Sequence, residues 1–178
     1  MNIKRLLLSL ILLAPLNNSC SFHPNEIYLI PKGYTGDVII FFDQPDGVTP
    51  EMENGSYVYK IPADGILKVK TQGGVGIFTK SFYYVDENNQ REKLKTLRVT
   101  GDRSPTGEPQ NKFGNITQDQ YEHTVYVMAV GGLGSFNTKK GIIQFTSFII
   151  GTPKDSDQLY MKMERRTTDM QRKFLQES

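Results

Sequence analysis

Short runs of β-branched and aromatic residues, repeatedly interrupted by glycine, proline, asparagine and aspartate, limit the folds open to this chain. Short apolar runs separated by turn-forming residues predict strands joined by turns. Turn pairs such as Asn54-Gly55 favour antiparallel neighbours. The pattern predicts a mainly β protein, an antiparallel β-sandwich of about seven or eight strands with an immunoglobulin-like or transthyretin-like outline. The segments of strand length are 26–31, 37–42, 56–61, 65–70, 82–85, 93–100, 124–130 and 141–150.

Two of these strands are predicted to pair as a hairpin across a long loop. Residues 124–130 and 141–150 are strongly apolar, and 131–140, which links them, contains Gly131-Gly132-Leu133-Gly134. Glycines after a strand can hold phosphate when a helix begins directly after them, but here a strand follows. We therefore predict a flexible hairpin loop rather than a nucleotide site. The residues of this loop predicted to contact a partner are Phe136, Lys139 and Lys140.

The hydrophobic period changes after residue 153. Apolar residues fall three and four positions apart, which predicts a C-terminal amphipathic helix of about 20 residues within 154–178. Asp155 or Ser156 stands where a helix cap is expected. The charges of the segment balance, unlike those of a basic helix that lies on a membrane, so packing against the sheet or another protein is predicted. Possible partner contacts on this helix are Tyr160, Met163, Met170 and Phe174.

An N-terminal apolar run precedes the only cysteine of the chain. Two basic residues come before the apolar segment 6–16, and Cys20 follows shortly after it. This order is typical of an export signal, whose apolar region has about 7–15 residues, whereas a membrane-spanning helix needs about 20. We predict that residues 1–20 are a lipoprotein-type signal peptide, that Cys20 is the lipid attachment site, and that 21–25 form a tether.

The signal resembles that of bacterial lipoproteins but departs from it at two positions. Asn17 and Asn18 stand where a leucine and a small residue are usual. A plain secretory signal and an uncleaved signal anchor are the alternatives. A lone cysteine in an exported chain cannot form an internal disulfide, and acylation of Cys20 explains its presence.

Removal of the signal would leave a chain without net charge. The sequence has 21 basic and 19 acidic side chains, and residues 1–20 hold two basic and no acidic ones, so 19 of each would remain. A neutral chain gives no electrostatic support for a nucleic acid partner. The 158 residues that remain of 178 suit one domain, predicted at 26–153 and followed by the helix.

Residue types with catalytic or metal-binding chemistry are scarce. The chain has two histidines, of which His23 lies in the tether and His123 at a predicted strand edge. Patterns typical of zinc sites or of activated serine are missing from the sequence. Acidic pairs such as Asp86 and Glu87 lie in turns. We expect no catalytic residue, metal site or cofactor, and a hydrolase built on His123 or a carboxylate pair is the third functional class considered.

Aromatic residues are abundant, with nine tyrosines, ten phenylalanines and no tryptophan. On an exposed strand face, such rings can stack on sugars or contact a partner. In a domain without tryptophan they are also needed to fill the core, which is the role we predict. The strand aromatics concerned are Phe41, Phe42, Tyr57, Tyr59, Phe82, Tyr83 and Tyr84.

Three sequence blocks carry a family resemblance. They read IPKGYTG at 30–36, YKIPADGIL at 59–67 and FYYVDEN at 82–88. With these blocks, the chain resembles a family of small exported proteins of Bacteroidetes-type bacteria, catalogued as a domain of unknown function, over roughly residues 26–152. The resemblance implies one exported β domain and carries over no catalytic residue. The relaxed lipoprotein signals of such bacteria would accommodate the two asparagines.

These observations together predict an exported, non-enzymatic lipoprotein of the cell envelope. Its predicted location is the outer membrane, facing the periplasm, with a soluble periplasmic or secreted protein as the alternative. We expect it to bind an envelope protein through the loops 101–118 and 131–140 or through the terminal helix. A carbohydrate-binding module that uses the strand aromatics, with an envelope glycan as partner, is the alternative function.

Overall fold

The computed structural model describes residues 23–97 and 117–177. Its strands are β1 (Asn25–Pro31), β2 (Gly36–Phe42), β3 (Glu51–Glu53), β4 (Ser56–Lys60), β5 (Ile66–Lys68), β6 (Lys80–Val85), β7 (Arg91–Lys93), β8 (Lys95–Leu97), β9 (Tyr126–Met128), β10 (Gly134–Thr138) and β11 (Gly141–Gly151). Its helices are α1 (Gln118–His123) and α2 (Ser156–Gln176), and a 3₁₀ turn at Pro153–Asp155 precedes α2. The predicted signal peptide, Cys20 and most of the predicted loop 101–118 lie outside the described residues.

The strands form two sheets. The first has the order β3-β4-β1-β6-β7, and the second has the order β5-β2-β11-β9-β8, with β10 also paired to β11. The predictions of a mainly β protein and of a C-terminal helix are therefore confirmed.

The prediction of antiparallel sheets is wrong, because both sheets are mixed. β1 is parallel to both of its neighbours, β4 and β6, and the second sheet contains the parallel pairs β2–β5 and β8–β9. The reason lies in the connections. After β1, the chain crosses to the second sheet for β2 before it returns for β3 and β4, and it crosses again for β5 before β6. A strand reached through such a crossover can run parallel to its neighbour, whereas a tight turn requires an antiparallel pair.

One tight turn behaves as its sequence predicts. Asn54 and Gly55 both have positive φ, at 49° and 75°, as a type I′ hairpin turn requires. The flanking strands β3 and β4 are antiparallel, with Glu53 opposite Ser56.

The facing sides of the two sheets share an aromatic core. Tyr28 of β1 stacks on Phe82 of β6 with ring centroids 4.8 Å apart, and Phe148 of β11 meets Tyr28 edge-on at 5.3 Å. Phe42 and Tyr59 are buried in the same cluster. The predicted core role is confirmed for Phe42, Tyr59 and Phe82.

Helix α2 covers the opposite side of the second sheet. Alternate residues of β2 point to opposite sides, so that Ile40 faces the aromatic core while Ile39 and Phe41 face Met170 and Phe174 of α2. All seven residues of β2 are therefore buried.

Half of the predicted loop 131–140 is a strand. β10 occupies Gly134–Thr138 and pairs with β11 through register positions such as Phe136 opposite Ile143, which leaves only a short turn between them. Phe136 is buried against Phe41 and Phe174 rather than exposed at a loop tip. The predicted pairing of 124–130 with 141–150 is present, since β9 is antiparallel to β11.

Candidate binding cleft

An open cleft of about 1040 Å³ lies at the end of the two sheets where β1 and β6 begin. This volume is slightly above the range of about 300–1,000 Å³ found for ligand sites. Strands β1 and β6 of the first sheet, β2 and β11 of the second sheet, and the segment after β9 all contribute to it. Its apolar lining consists mainly of Phe42, Phe78, Phe82, Val130 and Leu133.

The polar centre of the cleft is Glu26, the second residue of β1. Strand side chains alternate, so Glu26 shares a side with Tyr28 and Ile30, which are both buried between the sheets. Its carboxylate is therefore placed on the core side, and Glu26 is only 2% exposed. A buried carboxylate is costly unless it is paired and hydrogen-bonded.

Three side chains compensate this carboxylate. The Tyr28 hydroxyl donates a short hydrogen bond to Glu26 Oε2. His23 Nε2 lies 3.1 Å from Glu26 Oε1. Lys80 Nζ lies 4.0 Å from Oε2, because β1 and β6 are parallel with Glu26 directly opposite Lys80.

Lys80 connects the two sheets across the floor of the cleft. Its Nζ donates to the Gly131 carbonyl oxygen at 3.3 Å and to Thr146 Oγ1 at 3.4 Å. Both distances exceed the usual N–H···O distance of about 2.9 Å. Burial lowers the pKa of Lys80, and the negative charge of Glu26 partly opposes that effect.

Tyr28 acts as a hydrogen-bond donor at this centre. Burial raises the pKa of Tyr28 well above its usual range, and the charge of Glu26 and the hydrogen bond to it add to the rise. The phenol therefore remains protonated at neutral pH and donates to the carboxylate. Chemically, the arrangement holds a neutral donor, a carboxylate and a cation in fixed positions.

One rim of the cleft is formed by residues 71–79, which we call the glycine loop. It reads TQGGVGIFT and connects the second sheet to the start of β6. A Cβ at Gly73 would lie 2.3 Å from Leu133 Cδ1, and one at Gly74 would lie 2.3 Å from His23 Cδ2. A side chain at either position would therefore require Leu133 or the His23 ring to shift.

Sequence reasoning missed this site. His23 was assigned to a tether, although its ring packs against Phe78 with centroids 4.6 Å apart and pairs with Glu26. The signal available was Glu26 itself, a charged residue in phase with the apolar residues of its strand. The second histidine, His123, lies exposed at the end of α1.

The residues predicted to contact a partner lie away from the cleft lining. Lys139 and Lys140 are exposed in the turn between β10 and β11, and Tyr160 is exposed on α2. The other predicted contacts lie where α2 packs on the second sheet; they are Phe136, Met163, Met170 and Phe174.

Residues 23–97 and 117–177 contain neither a cluster of metal-binding side chains nor a membrane-spanning helix. In that part of the chain, histidine, cysteine, aspartate and glutamate side chains nowhere gather in a group of three or more that could hold a metal ion. None of its helices combines the length and apolar character needed to cross a membrane.

Comparison with known proteins gives a family and a fold. Residues 23–141 match the family described as "Family of unknown function (DUF6843)". The structure is similar to the crystal structure of a protein described as "Putative Lipoprotein from Bacillus anthracis", with a TM-score of 0.53 and 17% identity over 86% of this chain and 99% of that chain. At this identity, the likeness shows the fold alone. No curated protein matches the chain.

Proposed function

The chain belongs to DUF6843, a family of unknown function, and we propose that it is an exported lipoprotein whose β domain binds a ligand, without catalysis, in the cleft between its sheets. The ligand class proposed is a small molecule that combines an apolar body with an anionic or hydrogen-bond-accepting group. The observation that carries this proposal is the position of Lys80 at the floor of an apolar cleft.

The Lys80 ammonium group can donate a hydrogen bond to a ligand. An ammonium group has three hydrogens, and the two hydrogen bonds that Lys80 makes across the cleft are long. An acceptor on a ligand can therefore replace or join these bonds, while the walls around Phe42 and Leu133 bury its apolar part. Sites of this composition, mostly apolar with a few convergent polar groups, are typical of small-molecule binding.

The hydrogen bonds of Glu26 favour ligand binding over proton transfer as the role of the cleft. Each oxygen of the Glu26 carboxylate already has a close partner, Tyr28 at one and His23 at the other. Such a fully engaged carboxylate is a poor general base, because a base must reach the proton that it abstracts.

Binding can be tested with 1-anilinonaphthalene-8-sulfonate, which joins an apolar aromatic body to an anion. Thr96 of β8 lines the cleft, and its neighbour Leu97 packs on the opposite side of the sheet with Met163. Thr96→Phe should therefore fill the cleft and weaken binding of the dye at least about tenfold, which corresponds to about 1.4 kcal/mol. Lys95→Phe, on the other side of the same strand, is the matched control. Equal affinities for the two variants would contradict the cleft as the binding site.

The lipid anchor has separate support. The order of basic residues, apolar run and Cys20 supports acylation, and the structurally similar Bacillus anthracis protein carries the description "Putative Lipoprotein". We propose the outer membrane, facing the periplasm, as the location. The test is the intact mass of protein extracted from membranes: an acyl mass on Cys20 that Cys20→Ala lacks is the expected result, and an unmodified soluble chain would overturn it.

The two binding partners predicted from the sequence have less support than the cleft ligand. A protein partner on α2 would compete with the second sheet for Met163 and Phe174, which pack there already. Sugar stacking would need strand aromatics at the surface, whereas five of the seven named above are buried and the other two, Tyr57 and Tyr83, are partly buried. An immunoglobulin-like or transthyretin-like sandwich outline stays a prediction, supported by the core that the two sheets share.

A further inference from the structure

The glycine loop presents two apolar side chains to solvent. Val75 is 75% exposed and Ile77 is 97% exposed, and Gly76 between them has a φ of 118° at the tip. All nine residues of the loop are uncharged, while a lysine stands directly at each end of it, Lys70 and Lys80. Lys80 points into the cleft, whereas Lys70 is exposed. An apolar, uncharged tip beside an exposed lysine is a composition suited to a membrane surface, where apolar residues enter the headgroup region and the lysine charge meets anionic headgroups.

The same loop packs against His23, which lies close in sequence to the proposed lipid attachment site at Cys20. Gly74 packs against the ring of His23, and Phe78 contacts that ring from the other end of the loop. Cys20 is three residues before His23. Three extended residues reach at most about 11 Å, so the Cα atom of Cys20 lies within that distance of the Cα atom of His23. An acyl group on Cys20 would therefore bring the bilayer to the end of the domain where the glycine loop packs on His23.

We propose that, in the anchored protein, the tip of the glycine loop enters the headgroup region of the bilayer through Val75 and Ile77. This inference rests on the proposed lipid anchor at Cys20. The anchor supplies the high local concentration that a contact of two side chains needs, because a tethered group binds as if it were at millimolar concentration. Since Gly74, Val75 and Phe78 also line the cleft, the contact would hold one rim of the cleft at the membrane.

The absence of tryptophan from the sequence permits a direct test. Full-length, acylated protein carrying Ile77→Trp is reconstituted into vesicles of phosphatidylethanolamine and phosphatidylglycerol. Glu87→Trp is the matched control. Glu87 is exposed in the turn that follows β6, whereas the glycine loop precedes β6, so the two sites lie at different ends of this strand. Val75→Trp gives a second probe of the tip. Emission maxima and quenching by brominated lipids are measured, and the intact mass of each sample reports its acylation.

We expect the emission of Ile77→Trp and Val75→Trp to shift to shorter wavelength and to be quenched by brominated lipid, while that of Glu87→Trp stays at the wavelength of a hydrated indole. If the acyl mass is present and the tip tryptophans remain hydrated like Glu87→Trp, the loop contact is wrong while the anchor stands. If the acyl mass is missing, the proposed anchor is wrong and the loop contact that depends on it is overturned as well.

Discussion

Arg166 of α2 donates a hydrogen bond from Nη1 to Oδ2 of Asp37 on β2 at 2.7 Å, across the contact between the helix and the second sheet. The Asp37 side chain is only 1% exposed. Arg166 also donates from Nη2 to the Asp64 carbonyl oxygen at 2.6 Å, and Lys162 Nζ lies 3.8 Å from Asp37 Oδ1. The helix therefore neutralises a carboxylate that the sheet buries, and its position on the sheet is fixed by charge as well as by apolar packing.

Loss of Arg166 should destabilise the protein. Arg166→Met would leave the buried Asp37 carboxylate with Lys162 alone, and removal of one member of a buried ion pair costs about 3 kcal/mol or more. The measurement is the free energy of unfolding in urea. Arg165→Met is the matched control, because Arg165 is the adjacent exposed residue of the same helix. Similar losses for the two variants would refute the role of the Asp37–Arg166 pair.

Apolar packing of α2 gives a second prediction. Met163 is buried with Met128 and Ile149 of the second sheet, whereas Met161 on the same helix is exposed. Met163→Ala should lower the free energy of unfolding by about 2–4 kcal/mol through lost burial and the cavity left behind. Met161→Ala should change it little. A helix that was free to dock on a partner would show no such difference, so equal effects would argue against its packing on the sheet.

The partly buried Lys80 of the cleft makes stability depend on pH in a defined direction. Burial lowers the pKa of Lys80 in the folded protein, so between that pKa and the ordinary lysine value of about 10.4 the unfolded chain binds more protons than the folded one. The contribution of Lys80 to the free energy of unfolding therefore rises with pH across that interval and is smallest below it.

The corresponding experiment compares wild type with Lys80→Met in urea unfolding from about pH 8 to about pH 10, an interval below the ordinary lysine pKa. The difference in unfolding free energy should move in favour of wild type as pH rises. Lys70→Met, at an exposed lysine, is the control. A difference that stays constant, or that moves in favour of the variant, would contradict the burial of the Lys80 ammonium.

The fold shows which features could be predicted from the sequence. Period and composition placed β2, β11 and α2 close to their observed bounds, because these elements are long and strongly patterned. The Asn54-Gly55 turn was also predicted, but the short strand β3 that it joins to β4 was not. Pairing direction elsewhere was not predictable from local signals, because it depends on which sheet the chain enters after each turn, as between β1 and β2.

The cleft was harder to predict than the fold. Glu26 and Lys80 are 54 positions apart and meet only because β1 and β6 are parallel and in register. Assigning His23 to a tether rested on its position before the first strand, while its contacts come from the glycine loop. The phase of Glu26 with Tyr28 on β1 could have indicated a buried carboxylate, and a buried carboxylate would have required nearby cations and donors.

The contact between the tether and the glycine loop leads to a last prediction. A methyl group at Gly74 would lie 2.3 Å from the His23 ring, so Gly74→Ala should displace the ring from Glu26 Oε1. A hydrogen bond to a charged group contributes about 1.5–3 kcal/mol, and the variant should lose up to that amount of stability. Gly132→Ala is the matched control, since a Cβ there meets no atom within 4 Å.

The chain's two histidines make this change visible by NMR. In Gly74→Ala the ring resonances of His23 should shift, while those of His123, exposed at the end of α1, stay constant and serve as the internal reference. In a His23→Ala background, Gly74→Ala should lose most of its effect on stability, because the clash partner is gone and the two substitutions act on one contact. Additive effects of the two substitutions would mean that Gly74 is required for another reason. The inferred role of the contact between the glycine loop and His23 would then be wrong.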